Sequence, residues 1–218
     1  MIAALRYFLS QTRARVSQVS IKAGEKPAFF TEAYRAALGA DTSSDGKVPV
    51  LDDNGLLLTE SAHVADYVAA KAAAEGRANV LPATPEERIV TGLFTEQVVG
   101  PLLAPFYGLL RAQAPEEQAA AALKLDGALG KLSAALAKRG GPFLLGAKPT
   151  IGDFMVWPFI ERMFILEHYR GYKAPAELAP LAAFTAAMAA QPFVAKIAQP
   201  KEFFVAGYAG YANPPKAA

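Results

Sequence analysis

The chain has 218 residues, of which 53% are hydrophobic and 19% are charged, with a formal net charge of +2. This composition suits one or two globular domains with a sizeable core. A small net charge with scattered signs excludes the basic surface that is typical of nucleic-acid-binding proteins. Because the chain has no cysteine, disulfides, thiolate metal sites and cysteine nucleophiles are excluded.

Neither a membrane span nor a metal site is predicted. No uninterrupted apolar run reaches the roughly 20 residues that a spanning helix needs. Residues 1–5 are too short for a signal peptide, since polar residues follow them at once. The two histidines, His63 and His168, have no carboxylate cluster beside them. We therefore expect a cytoplasmic protein that neither binds a membrane nor holds a metal ion.

Short strand-like and helical segments alternate in the first part of the chain. The hydrophobic patterns predict strands at residues 2–8 and 16–21 and helices at residues 27–38 and 61–74. Asp52-Asp53-Asn54-Gly55 predicts the turn of a hairpin between the two helices. This order of elements is thioredoxin-like.

A linker at residues 75–83 precedes a region whose pattern is helical. Thr84, Pro85 and Glu87 form a helix start, and the helix extends to about Arg111 with candidate kinks at Pro101 and Pro105. Further helices are predicted at residues 115–139, 150–162, 176–190 and 193–198. The glycine-, tyrosine- and proline-containing tail at residues 203–218 is predicted to be irregular.

The stretch from Lys47 to Ser61 carries the clearest functional signal. Val48-Pro49 precedes a strand, and the proline, which lacks an N–H, interrupts pairing there and exposes the valine backbone. Ser61 opens a helix, whose free N–H groups favour an anionic ligand group. Glu60 beside it can bind an ammonium. Since a carboxylate and an ammonium together mark the end of an α-amino acid, this stretch predicts such a ligand.

This combination resembles the glutathione site of the glutathione transferases. The resemblance implies that Val48, preceding a cis Pro49, offers its backbone to the cysteinyl unit of glutathione. It also implies that Glu60 and Ser61 hold the γ-glutamyl end. Glutathione would be a co-substrate, no metal would be needed, and the protein would be a homodimer.

Two other motifs resemble the omega and dehydroascorbate-reductase-like branches of this family. Lys26-Pro27-Ala28-Phe29-Phe30 resembles a segment whose lysine reaches the far end of glutathione. The run from Phe154 to Arg162 resembles an aromatic-Pro-aromatic-Glu-Arg helix, and Thr150 and Asp153 match a structural cap that precedes it.

The resemblance implies a two-domain glutathione transferase fold, α/β plus all-α. A thioredoxin-like, glutathione-binding domain would occupy residues 1–78, with a shortened first helix, and an all-helical domain residues 84–218. In the family, the first helix of the second domain lines the pocket for the electrophile, which implicates Phe106, Tyr107 and Arg111.

The segment before Lys26 departs from those branches, which carry a catalytic cysteine there. Without cysteine, reduction of dehydroascorbate or disulfides through a mixed disulfide is not expected. A hydroxyl that hydrogen-bonds the glutathione sulfur would favour its thiolate instead. Tyr7 and Ser10 resemble the starts of tyrosine-type and serine-type transferases, and the sequence leaves open which of them, or neither, is catalytic.

The sequence therefore predicts a glutathione transferase that conjugates glutathione to small hydrophobic electrophiles. The alternative is a non-catalytic protein of the same fold that binds glutathione or a partner. The short N-terminus favours this alternative, whereas the intact residues Lys26, Val48, Pro49, Glu60 and Ser61 argue against loss of glutathione binding.

Overall fold

The computed structural model describes residues 17–21, 26–39, 44, 46–77 and 79–213. The chain divides into two compact units, Met1–Leu81 and Pro82–Ala218. Their boundary lies within the stretch that the sequence predicts as a linker. The strand predicted at residues 2–8 lies outside the described residues.

The first unit contains two helices and a hairpin, in the places that the sequence predicts. In chain order these are α1 (Ala28–Leu38), β1 (Val50–Asp53), β2 (Leu56–Thr59) and α2 (Ser61–Ala74). The strands are antiparallel, with Val50 opposite Thr59. Asn54 and Gly55 both have positive φ, 54° and 91°. Positive φ at both central residues suits a two-residue turn that matches the twist of the strands, so the turn fixes the register.

The helices of the first unit bury one face each. In α2 the buried side chains recur at helical spacing, and in α1 Phe30 and Tyr34 are buried. Gly46 lies against them with φ 91°, and a Cβ at this position would approach Phe30 Cε1 to 2.9 Å. Gly46 therefore lets the chain pass close over α1 just before Val48.

The strand predicted at residues 16–21 is wrong for its described part. Residues 17–21 form no strand, and residues 17–20 are exposed, with Val19 at 66%. Valine and isoleucine alternate with polar residues here, but alternation produces a strand only where one face is buried and a neighbouring strand supplies hydrogen bonds. Among the described residues, this segment has neither a buried face nor a neighbouring strand.

The second unit is helical. The described helices are α3 (Pro85–Phe94), α4 (Gly100–Arg111), α5 (Pro115–Ala137), α6 (Ile151–Ile160), α7 (Met163–Arg170), α8 (Ala179–Ala189), α9 (Pro192–Ile197) and α10 (Lys201–Ala212). Its fully buried large side chains are Leu102, Phe106, Leu109, Leu110, Leu125, Leu129, Leu132, Leu136, Phe154, Ile165 and Phe184. They come from five helices, so this unit has a core of its own.

A π-helical segment, Thr95–Val99, joins α3 to α4 without a break. The N–H of Gly100 donates to the carbonyl of Thr95, five residues earlier. In α geometry the ring of Pro101 would clash with the carbonyl four residues before it. The wider turn makes room for this ring, so the predicted kink takes the form of a π-helical segment.

The helical stretch Pro85–Arg111 is long and apolar enough to cross a membrane. It has 27 residues, and the mean hydropathy of its most apolar 18-residue window is 1.3. Charged and polar residues such as Glu96 and Gln97 interrupt this stretch, so it is not the uninterrupted apolar run whose absence the sequence shows. Because core helices of soluble proteins pass the same test of length and composition, one such helix is weak evidence for a membrane span.

Asp153 is the polar centre of the second unit. Its side chain is fully buried at the start of α6, where it accepts hydrogen bonds from Leu144 N (2.8 Å) and Thr150 N (2.7 Å). The hydroxyl of Thr150 also donates to it, at 3.0 Å. Burial raises the pKa of Asp153, and these donors oppose that shift. The predicted cap thus also ties the loop before α6 to its first turn.

The tail predicted to be irregular contains α10, so that prediction is wrong for residues 203–212. Glycine and tyrosine are poor helix formers, but tertiary packing overrides their propensity here. Phe204, Tyr208 and Tyr211 recur at spacings of four and three residues, which places them on one face of a helix. This spacing favours a helix, although the amino-acid composition of the segment favours irregular structure.

Candidate functional site

The backbone of Val48 is available to a ligand. The peptide bond between Val48 and Pro49 is cis, as the resemblance implies. Val48 is 51% exposed, and its N–H and C=O make no hydrogen bond within the described part of the chain. The carbonyl of Pro49 accepts from Thr59 Oγ1 at 3.2 Å, which holds the neighbouring residue against β2. A peptide ligand can therefore pair with Val48 as an added strand does.

Glu60 and Ser61 lie at the same open end of the hairpin. Val50 pairs with Thr59 as the last pair of the hairpin, so Val48 comes two residues before this pair and Glu60 directly after it. Glu60 has φ 61° and ψ 110°, a backbone conformation that is unfavourable for a non-glycine residue. This conformation turns the chain from β2 directly into α2.

The start of α2 is suited to an anion. The first backbone hydrogen bond of this 14-residue helix is from Val64 N to Glu60 O, at 3.0 Å. The N–H groups of Ser61, Ala62 and His63 precede it, and no side chain caps them. With the Ser61 hydroxyl beside these N–H groups, a carboxylate can be bound there.

An ion pair and a hydrogen bond connect the hairpin to α2. Lys71 forms a short ion pair with Asp53 Oδ2, and the hydroxyl of Tyr67 donates to the same oxygen at 2.6 Å. The hydrogen bonds from Lys71 and Tyr67 hold the pKa of Asp53 below its usual range. This clamp fixes the hairpin, and with it Val48, relative to the helix that begins at Ser61.

Lys26 contacts the loop that leads to the predicted site. Its Nζ donates to the carbonyl of Gly46 at 2.6 Å. An ammonium has three donors, so two remain for a ligand. Of the other predicted residues, Tyr7 and Ser10 lie outside the described residues.

The structure divides the three residues predicted for the electrophile pocket. Phe106 is fully buried in the core, where its ring packs edge-on against Tyr107 and Phe159. It therefore supports the surface of α4 without lining it. Tyr107 is half-buried and Arg111 is exposed, so both can reach a ligand.

Three residues that sequence reasoning missed extend this surface. Tyr107 stacks on Tyr208 of α10, with ring centroids 6.3 Å apart and an interplanar angle of 14°. The ring centroid of Tyr211 lies 5.8 Å from that of Tyr107. Arg162, between α6 and α7, lies close enough to Tyr107 to affect its pKa electrostatically. We call this set the tyrosine–arginine surface: Tyr107, Arg111, Arg162, Tyr208 and Tyr211. Its parts are far apart in sequence, so only the helical spacing within α10 gives a local signal.

Tyr107 is neutral at physiological pH. Burial raises the pKa of Tyr107, and the neighbouring side chain of Tyr208 raises it further. Arginine supplies the permanent charge. Among the described residues, no group of three His, Cys, Asp or Glu side chains could hold a metal ion.

Comparison with known proteins identifies the fold. Residues 115–190 match the family model of the glutathione S-transferase C-terminal domain. The chain is similar to the tau-class glutathione S-transferase from mango, Mangifera indica, with a TM-score of 0.80 and 19% identity over 97% of this chain and 93% of that one. The chain has the glutathione transferase fold. The predicted fold class, a thioredoxin-like domain followed by an all-helical one, is confirmed.

Other solved glutathione transferases match this chain to a similar extent. The Omega 3C enzyme from Trametes versicolor has a TM-score of 0.78 and 22% identity, over 96% of this chain and 84% of that one. A rice enzyme solved in complex with glutathione has a TM-score of 0.76 and 20% identity, over 96% and 92%. Since tau and omega enzymes match alike, the fold does not rank these classes. No curated protein sequence matches this chain significantly.

Proposed function

We propose that this protein is a cytoplasmic glutathione transferase that conjugates glutathione to small electrophiles with a hydrophobic body. The main support is the open end of the hairpin, where the backbone of Val48 has no hydrogen-bond partner among the described residues and α2 begins at Ser61. The two features offer main-chain pairing to a peptide and N–H groups to its terminal carboxylate. A γ-glutamyl peptide presents an amide main chain and, at one end, a carboxylate and an ammonium on the same carbon.

The proposed binding mode follows from these groups. The cysteinyl unit of glutathione pairs with the N–H and C=O of Val48. The γ-glutamyl carboxylate accepts hydrogen bonds from the Ser61 hydroxyl and the first N–H groups of α2, while Glu60 binds the ammonium. Lys26 takes the glycyl carboxylate at the other end of the peptide.

The proposed reaction is nucleophilic substitution by the glutathione thiolate. A free thiol has a pKa of about 8.5 and is mostly protonated at pH 7, so a hydroxyl that donates to the sulfur promotes ionisation. The thiolate attacks an aromatic carbon that bears a halide. A carbon–sulfur bond forms, the carbon–halogen bond breaks, and halide leaves with the bonding electrons. The thiol proton is released to solvent.

Tyr7 and Ser10 are the proposed alternatives for the hydroxyl that donates to the sulfur. The test is turnover of glutathione with 1-chloro-2,4-dinitrobenzene in the wild type, Tyr7→Phe and Ser10→Ala. One substitution should lower kcat by about 100-fold with little change in the KM for glutathione. Turnover that is unaffected by either change contradicts the hydroxyl mechanism.

Binding to glutathione separates this proposal from its alternative. The protein should be retained on immobilised glutathione and released by free glutathione. Retention without turnover would favour a non-catalytic glutathione-binding protein, and absence of retention would contradict both. We also propose a homodimer, which sedimentation equilibrium tests.

A further inference from the structure

We propose that the tyrosine–arginine surface binds planar aromatic molecules that carry a negative charge, and that such molecules are the second substrates. The role as a second-substrate site rests on the glutathione transfer proposed above. The ligand class rests on the surface itself, which belongs entirely to the second unit.

The rings of this surface favour a flat ligand. Tyr107 and Tyr208 are nearly parallel, at 14° and 6.3 Å between centroids, and Tyr211 lies 6.0 Å from Tyr208. Tyr211 is 41% exposed, a large fraction for an aromatic side chain that contacts two others. Offset stacking on such rings stabilises an aromatic ligand beyond the burial of its area.

Arg111 adds a cation to the face of these rings. Its guanidinium carbon lies 5.6 Å from the ring centroids of both Tyr107 and Tyr211. The ion pairs among the described residues are Lys71–Asp53, Arg77–Glu75 and Lys173–Glu167, so Arg111 has no carboxylate partner there. A planar guanidinium held by two rings is ordered in advance for bidentate binding of a carboxylate.

Arg162 gives an independent indication of an anion. Its guanidinium carbon lies 4.7 Å from the ring centroid of Phe204. The Nε atom is buried and has no hydrogen-bond partner within the described part of the chain. A desolvated guanidinium N–H without an acceptor is costly, and the charge of an anion bound nearby would offset part of that cost.

The acidic group nearest to Arg162 in sequence does not neutralise it. Burial raises the pKa of Glu161, and the charge of Arg162 opposes that shift. No ion pair within 4.0 Å joins the two side chains. Arg111 and Arg162 therefore place positive charge beside apolar rings, which matches a ligand with an aromatic body and an anionic substituent.

Calorimetric titration of the full chain with 2-naphthoate and its neutral isostere 2-naphthamide tests the ligand class without glutathione. We expect 2-naphthoate to bind roughly tenfold more tightly. Arg111→Met and Arg162→Met should each reduce that preference, and Arg111→Lys should retain part of it. Arg139→Met, on an exposed residue after α5, is the matched control and should retain the full preference.

Equal affinities for the two naphthalene compounds would overturn the proposal. So would a preference that survives in both Arg111→Met and Arg162→Met. Because Arg111 is exposed, its replacement is not expected to prevent folding, and thermal unfolding of each variant checks this. A variant of Arg162 that fails to fold leaves Arg111→Met to decide.

Turnover of a matched pair of electrophiles tests the role as second-substrate site. The KM for 4-chloro-3-nitrobenzoate should be roughly tenfold lower than that for 4-chloro-3-nitrobenzamide, and Arg111→Met should remove this difference. Transfer of glutathione to both compounds with equal KM would contradict the inference and leave the proposed function standing. No transfer to either compound or to 1-chloro-2,4-dinitrobenzene, with selective binding of 2-naphthoate retained, would contradict the proposed function and leave the ligand class standing.

Discussion

The hairpin site and the tyrosine–arginine surface differ in how they are built. The hairpin site lies between Val48 and Ser61, and it offers mainly backbone groups whose positions are fixed by a turn and a helix start. The tyrosine–arginine surface combines side chains from Tyr107 to Tyr211, contributed by α4, the junction after α6, and α10. A local motif of backbone groups suits a ligand that is always the same, as the proposed peptide glutathione is. A surface assembled from distant segments suits a ligand whose class changes with the side chains.

The largest expected effect is loss of the buried Asp153 carboxylate in the second unit, which carries the tyrosine–arginine surface. Asp153→Ala removes the acceptor of three hydrogen bonds at a fully buried position. We expect the free energy of unfolding to fall by about 3 kcal/mol or more, because the donors are left unsatisfied. Urea denaturation measures this, with Asp66→Ala on the exposed face of α2 as control. A decrease equal to that of the control would contradict this account of the core.

The next prediction distinguishes the tyrosine–arginine surface from the hairpin site. Arg170 donates to the carbonyls of Tyr169, Leu110 and Ala212, so one guanidinium joins the carboxyl ends of α7, α4 and α10. Arg170→Met should cost about 2 kcal/mol and release α10.

Amide hydrogen exchange detects the release of α10. Arg170→Met should accelerate exchange at residues 201–212 and weaken 2-naphthoate binding, with no change in glutathione affinity. Lys173→Met, which removes only an exposed ion pair with Glu167, is the control. Equal acceleration in α2 would show that the two regions are not independent.

A smaller effect is expected at the hairpin site. Ser61→Ala removes the hydroxyl beside the N–H groups of α2 and should weaken glutathione binding roughly tenfold. Ser61→Thr should retain much of the affinity, because it keeps the hydroxyl. Calorimetry with glutathione and with 2-naphthoate checks both ligands, and an equal loss for both would remove the distinction between the two regions.

The smallest effect concerns the clamp between hairpin and α2. The folded-state pKa of Asp53 is lowered from 3.8 by Lys71 and Tyr67. The clamp therefore stabilises the fold above pH 3.8, and its contribution is lost as the pH falls through the lower folded-state value. Asp53→Asn should slightly lower the urea midpoint at pH 7 and leave it unchanged at strongly acidic pH. A constant difference at all pH values would contradict this.

The contrast between the regions also explains what the sequence could predict. The turn at Asn54-Gly55 and the start at Ser61 have short-range signals, so the hairpin and α2 follow from the sequence. The α10 helix does not, because its stability comes from packing against α4 and α7 and not from the propensity of its residues. The strand predicted at residues 16–21 is wrong for the complementary reason: its pattern lacks a described partner strand and a buried face.

The residues of the two candidate sites also differ in how far the sequence predicts them. Val48, Glu60 and Ser61 are adjacent in a motif, and the structure brings them to one end of the hairpin. Phe106 was predicted to line a pocket but is buried, since position along a helix does not by itself reveal which face is covered. Tyr208 and Arg162 were missed because their meeting with Tyr107 depends on tertiary contacts.

Backbone NMR of the full chain titrated with glutathione tests the central claim most directly. The amide signals of Val48, Ser61, Ala62 and His63 should show the largest shifts, because glutathione is proposed to pair with the first and place its carboxylate on the others. In Ser61→Ala the same signals should move only at higher glutathione concentration. Shifts confined to other residues, or no shifts at saturating glutathione, would contradict the account.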